Sequence, residues 1–322
     1  MLCVIPEMKE LSPGLSVVVP VYNSAEALPK LIERLRPVLE GLRVPYELVL
    51  VNDGSRDQSW PVVCELAGKH PWVRGFCLMR NYGQHNALLC GIRAARLDKV
   101  CTIDDDLQNP PEEIPKLLAR LDERFDVVYG APKKETHGLW RNLVSQATKI
   151  ALQEVMGAEK ARHVSAFRVF RTQIRHAFAN YNSPYVSIDV LLTWGSMRFA
   201  VVFVKHDPRT SGVSNYTFRK LLVHALNMLT GFSTVPLRFA SLMGFGFTVF
   251  GGLILLYVVG RYLMAGVAVA GFAFLASIIA IFAGVQLFSL GIMGEYLARM
   301  HFRTLDKPAY TVAEMAPADP QS

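Results

Sequence analysis

The chain has 322 residues, 51% of them hydrophobic and 19% charged, and a formal net charge of +7. That length exceeds one ordinary domain, and so high an apolar share argues against a wholly soluble protein. The five cysteines (Cys3, Cys64, Cys77, Cys90, Cys101) are odd in number and form no C-x-x-C pair, which argues against a disulfide framework or a zinc site. Residues 1–15 show no charged start followed by a long apolar run, so no cleaved signal is expected and roughly the first 230 residues are expected in the cytoplasm.

Ser16-Val17-Val18-Val19-Pro20, Glu47 to Asn52 and Val100 to Asp104 are short, nearly continuous apolar runs, each followed by polar turn residues and a helix-like segment. Unbroken rather than alternating apolar strands indicate a parallel sheet covered on both faces, so the pattern reads as βαβ. The helices are expected over 25–41, 58–69, 84–95 and 112–124, with Asp57 and Asn109 as caps or pre-helix turn residues. In such sheets ligands bind beyond the carboxyl ends of the strands. Those ends carry Tyr22-Asn23, Asp53-Gly54-Ser55 and Asp104-Asp105-Asp106, which places all three groups on one rim. Two like charges about 4 Å apart repel by roughly 4 kcal/mol at an effective dielectric near 20. The three acids therefore ask for a cation, and a hard oxygen-liganded ion such as magnesium or manganese fits, completed by substrate phosphates.

Further along, residues 132–175 hold nine Lys/Arg against three Glu, so something anionic is expected there: nucleic acid, lipid headgroups or a phosphorylated substrate. Within it, Arg141 and Ser145 stand four apart, on one face of a helix. Residues 217–232 place apolar and basic side chains at helical spacing, as a helix at a membrane surface does and as an amphipathic core helix also does. No charge interrupts Phe239 to Gly260 or Tyr262 to Gly294, with Arg261 alone between them. The first stretch is about 33 Å long as a helix, against a hydrocarbon core of about 30 Å. Lys and Arg flank this hairpin on its outer sides (Arg219, Lys220, Arg238; Arg299, Arg303, Lys307), which predicts that both ends face the cytoplasm. The hairpin favours lipid or phosphate over nucleic acid as the basic segment's partner. The expected organisation is a tail over 1–14, an α/β domain over 15–216, an amphipathic helix over 217–236, a membrane hairpin over 237–298 with spans near 239–260 and 267–293, and a cytoplasmic tail over 299–322.

There is no G-x-x-x-x-G-K-[ST], and no G-x-G-x-x-G follows the first strand, so neither a P-loop nor a dinucleotide fingerprint is present. Val19-Pro20-Val21-Tyr22-Asn23, Asn52-Asp53-Gly54-Ser55 and Asp104-Asp105-Asp106-Leu107-Gln108, in this order and spacing, resemble the family 2 glycosyltransferases, whose Rossmann-like α/β fold is called GT-A and binds nucleotide sugars. A narrower likeness runs from Leu15 to Tyr310. Arg80-Asn81-Tyr82-Gly83-Gln84-His85, then Asp106 to Pro115, then the hairpin closed by Gly294-Glu295-Tyr296-Leu297-Ala298-Arg299 resemble the polyisoprenyl-phosphate glycosyltransferases.

The resemblance implies inverting transfer of a sugar, from a UDP-linked donor, to undecaprenyl phosphate at the cytoplasmic membrane face. It implies donor contacts at Pro20, Tyr22, Asn23, Asp53, Asp104, Asp105, Lys133 and Arg209, a magnesium or manganese ion on Asp104, Asp106 and Gln108, and catalytic roles for Asp106 and Arg209. Arg141 and Ser145 would hold the acceptor phosphate, and the relatives' habit is a homo-oligomer, often a tetramer. Arg209-x-x-Gly212-x-Ser214-x-Tyr216 matches the family's diphosphate loop, except that Asn215 replaces a lysine; Ser24 replaces a glutamate, and Arg162 stands at an often acidic position. His85, a lone histidine opening a helix, reads first as a structural hydrogen-bonder. Two alternatives stay open: a polysaccharide-extending synthase, disfavoured by two spans and no Q-x-x-R-W, and a catalytically silent binder of nucleotide sugar or anionic lipid.

Overall fold

The computed structural model describes residues 11–132, 163–183, 186–207, 235–265, 272–305 and 307–317. They form two compact units, one carrying a mixed sheet and one consisting of two long helices.

The first unit begins with three βα repeats: β1 (Ser12–Val21), α1 (Ala27–Gly41), β2 (Tyr46–Asn52), α2 (Ser59–Lys69), β3 (Val73–Leu78) and α3 (Gln84–Ala94). β4 (Leu97–Thr102) follows. From Leu15 to Val21 every residue of β1 is buried, as an unbroken apolar run requires when helices cover both faces of a sheet. α1 turns Leu28, Leu31, Ile32, Leu35 and Leu39 onto the sheet, the three-and-four spacing of one helix face. The fourth helical segment is shorter than its sequence pattern predicts. It is a 3₁₀ turn at Pro111–Glu113 followed by α4 (Ile114–Arg120), because the Asp122 carboxylate accepts the Arg124 N–H at 2.8 Å and closes a local turn there.

β5 (Val127–Pro132), β6 (Arg168–Arg171), α5 (Ile188–Gly195) and β7 (Phe199–Val204) extend the sheet. Its last strand is β8 (Val312–Ala316), within the stretch that the sequence reads as a tail. The eight strands run in the order β7-β5-β6-β4-β1-β2-β3-β8. β3, β2, β1 and β4 are mutually parallel, whereas β6 and β8 lie antiparallel to their neighbours. The chain order reverses at β1, between β2 and β4, and open α/β sheets form ligand crevices at such a point.

The second unit is α6 (Val235–Ala265) and α7 (Phe272–Thr304). Both contain a segment long and apolar enough to cross a bilayer, Leu237–Arg261 and Ile281–Ala298. The helices meet where Phe247 and Phe282 stack edge to face, 5.9 Å between ring centroids. Gly251 makes room, since a Cβ there would lie 2.9 Å from the Phe282 ring.

Candidate active site

The three polar groups that follow β1, β2 and β4 converge on one rim, and hydrogen bonds lock them to each other. The Tyr22 N–H, just past β1, donates to Asp105 Oδ2 at 3.3 Å, across the crevice between β1 and β4. Asn23 adopts φ 54°, a left-handed turn that asparagine tolerates better than most residues. Its N–H reaches Ser55 Oγ at 3.0 Å, and its Oδ1 accepts the Arg56 N–H at 2.8 Å. Pro20 is buried in β1 beside Val51 of β2. Ser24 donates to the Tyr22 carbonyl at 3.2 Å and also hydrogen-bonds Asp105. Asp57 takes the expected pre-helix place, accepting the Ser59 N–H at 3.0 Å at the start of α2 and the Ala25 N–H at 3.2 Å.

Asp53 is buried, and its carboxylate grips the backbone of the loop after β3: the Tyr82 N–H donates to one oxygen at 2.7 Å and the Gly83 N–H to the other at 2.8 Å. Burial raises its pKa, against the pull of those two amides. Gly54 has φ 63°, and a Cβ on it would sit 2.5 Å from the Asn81 nitrogen. Gly54→Ala therefore both strains a left-handed turn, at about 1–2 kcal/mol, and pushes the loop off Asp53. A thermal melt is expected to record the lost stability, and a titration with nucleoside diphosphate is expected to record weaker binding.

Asp104, Asp105 and Asp106 are each partly buried. Burial, and then the charges of Asp106 and Asp105, push the Asp104 pKa up to about 7, while Asp104 Oδ1 accepts a 2.7 Å bond from Gln84 Nε2 at the start of α3. Asp106 Oδ1 accepts the Gln108 N–H at 3.1 Å, with Leu107 between them at φ 60°. Among the described residues no three His, Cys, Asp or Glu side chains converge into a metal cage. A rim that resists a third negative charge is nevertheless suited to a divalent cation. The donor set of Asp104, Asp106 and Gln108 is all hard oxygen and fits an ion that takes its other ligands from water and phosphate.

Beyond this motif the chain is latched. The Asp207 N–H donates to the Gln108 carbonyl at 2.9 Å, His206 Nδ1 lies 3.4 Å from Asn109 Oδ1, and Arg34 of α1 forks onto Glu112 at 2.8 and 3.1 Å with Asp207 3.6 Å away. The backbone leading towards Arg209 is thus fixed beside Gln108. Lys133, Arg141, Ser145, Arg162, Arg209 and Asn215 lie outside the described residues. His85 Nδ1 accepts the Ile188 N–H at 3.4 Å, tying α3 to α5.

Behind the rim is a buried network whose roles the sequence reading left unassigned. Arg168 of β6 is 1% exposed, forms an ion pair with Asp189 of α5, and donates from Nε to Thr102 Oγ1 at 3.0 Å. The Tyr129 hydroxyl donates to the same Asp189 oxygen at 3.1 Å. An arginine leading into the apolar pair Val169-Phe170 of a short strand is the signal for it.

Residues 16–182 match the sequence profile of glycosyl transferase family 2. The chain belongs to that family. This family 2 glycosyltransferase is 35% identical over 304 residues to an undecaprenyl-phosphate 4-deoxy-4-formamido-L-arabinose transferase of Shewanella sediminis, covering 93% of this chain and 92% of the relative. It is 34% identical over 310 residues to the protein so named in Pectobacterium carotovorum, covering 95% and 94%. Among solved structures it resembles glucosyl-3-phosphoglycerate synthase from Mycobacterium tuberculosis in complex with Mn2+ and UDP-glucose. The TM-score is 0.50 at 18% identity, over 68% of this chain and 77% of that one. That likeness is one of fold, and it confirms the Rossmann-like GT-A architecture of the transferase.

Proposed function

We propose that this glycosyltransferase moves 4-deoxy-4-formamido-L-arabinose, or a closely related sugar, from a UDP-linked donor to undecaprenyl phosphate, with inversion, at the cytoplasmic membrane face. The observation that carries the reading is the extent of the likeness: the identity to transferases of that name spans 93% of the chain, so both long helices fall within the matched length. The second unit then supplies a membrane hairpin close to the lipid acceptor, and basic residues flank it on both outer sides.

The rim's chemistry suits the reaction. The bond between the anomeric carbon and the donor diphosphate breaks, the bonding pair leaves with the nucleoside diphosphate, and an acceptor phosphate oxygen forms the new bond from the opposite face. A phosphate monoester with a second pKa of about 6 is mostly dianionic at neutral pH, so it attacks without giving up a proton and needs no strong base. The protein's task is to hold two anions together in line. Asp53 and the Tyr82–Gly83 loop shape the nucleoside side, Lys133 and Arg209 stabilise the departing diphosphate, and Arg141 with Ser145 binds the acceptor phosphate. Bound on Asp104, Asp106 and Gln108, magnesium or manganese would supply positive charge against the diphosphate.

The deciding experiment is a donor screen: purified protein, undecaprenyl phosphate and either metal, with the lipid product weighed by mass spectrometry. The expected result is one lipid-linked pentose derivative and free UDP. Donor binding without turnover across the panel would overturn the reading, and long glycan products would replace it with a polymerising synthase. Arg141→Ala is expected to raise the KM for lipid phosphate roughly ten-fold or more, the loss of a charged phosphate contact, with turnover restored at high acceptor concentration. An unchanged acceptor KM would remove Arg141 from the acceptor site.

A further inference from the structure

The C-terminal segment sits against the loop that Asp53 and Asp104 hold. β8 pairs antiparallel with β3, from Gly75 opposite Ala316 to Leu78 opposite Val312. The ladder continues past the strand, because the Met79 N–H donates to the Thr311 carbonyl at 2.9 Å. Thr311 also hydrogen-bonds the Tyr82 phenol through both its side chain and its backbone, which draws the Tyr82 pKa below its ordinary value. Arg80 lies over the Tyr82 ring at 4.6 Å. On the other side of the loop, Tyr310 hydrogen-bonds Cys90, and the Arg93 guanidinium stands 5.8 Å from its ring centroid, both within α3. Trp60 Nε1 of α2 anchors the segment further along, donating to Glu314 Oε2 at 2.7 Å.

Tyr310 and Thr311 therefore grip the entry to the loop (Met79), its middle (Tyr82) and its exit helix (Cys90, Arg93). The same loop presents the two amides that bind Asp53 and the Gln84 amide that binds Asp104. An ordinary edge strand pairs with its neighbour and stops; here side chains reach past the ladder onto the rim.

We propose that Tyr310–Glu314 is a positioning clasp for the donor side of the active site, fixing Tyr82 and through it the hold of the loop on Asp53 and Asp104. The proposal rests on the reading of this rim as the donor site. The clasp acts on nucleotide-sugar binding and not on the acceptor.

The test uses the full chain with Thr311→Val, which keeps a β-branched side chain but removes the hydroxyl, and Tyr82→Phe. Hydrogen exchange needs no donor. Peptides spanning residues 79–84 are expected to exchange faster in both variants, while those from β1 and β2 keep their protection. In transfer assays each variant is expected to raise the donor KM roughly five- to ten-fold, the weight of one hydrogen bond, with the acceptor KM unchanged. The double variant should be no worse than Tyr82→Phe alone, since losing the phenol already removes every contact it makes with Thr311. Unaltered exchange at 79–84, or donor and acceptor KM rising together, would overturn the clasp. Because the exchange measurement is independent of turnover, a protein that transfers no sugar would refute the proposed reaction and leave the clasp to be judged on exchange.

Discussion

Asp106→Ala is expected to lower turnover by roughly 10²–10³-fold, the loss that follows removal of one group stabilising transition-state charge, with the fold intact. Asp106 has two separable duties. Its Oδ1 holds the Gln108 N–H and so shapes the left-handed turn at Leu107, and in the proposed metal site its charge would help seat the cation. Asp106→Asn separates them, because the amide oxygen can still accept that backbone bond while the charge is gone. If charge is what matters, the Asn variant should be nearly as slow as the Ala variant at any magnesium or manganese concentration, with an unchanged melting temperature. Steady-state assays across a metal titration check this, and full turnover in either variant would remove Asp106 from the metal site.

The second large effect falls on stability. Arg168→Met should destabilise the catalytic domain by about 3–5 kcal/mol, the usual cost of leaving one member of a buried ion pair without its partner. For a domain of this size that is a fall of roughly 6–20 °C in Tm. Arg168 is almost wholly enclosed, and Asp189 has the Tyr129 hydroxyl as its other donor. A methionine fills much of the space but leaves the carboxylate facing apolar neighbours. Adding Asp189→Leu and Tyr129→Phe removes the stranded polar groups, and this triple variant should recover most of the loss, since a buried pair replaced by apolar groups is often neutral. Thermal melts of the purified chain decide it: a single variant as stable as the wild type would mean that water reaches Asp189.

How far the sequence could be read follows from which physical signals are local. β1, β2 and the second half of β4 are visible because their residues are buried on both faces and form nearly unbroken apolar runs. β3 is harder, with Arg74 and Gly75 inside it. Gly75 is required because a Cβ there would come within 2.4 Å of Val63, a contact formed only once α2 is packed. β8, Val-Ala-Glu-Met-Ala, is exposed over most of its length as an edge strand and shows no core signal in the sequence. The rim's members are legible by motif, since carboxylates crowded at a strand's end have few ordinary uses. Their partners are not: the bonds from Asp53 to Tyr82 and Gly83 span about thirty positions, and the one from Gln84 to Asp104 spans twenty. Ser24 shows the same limit, for its bond to Asp105 exists only because β1 and β4 are neighbours in space.

The place of β8 after both long apolar helices sets an order on biogenesis. Its partner β3 leaves the ribosome early, yet the strand that covers it is translated only after both long apolar helices, a wait of roughly 10–50 s at ordinary elongation rates. During that interval β3 presents an open row of amides and carbonyls, the kind of edge on which nascent chains mispair. A polypeptide stalled within the second helix would keep that seam open, so completion of the sheet doubles as a mark that both long helices have already been made.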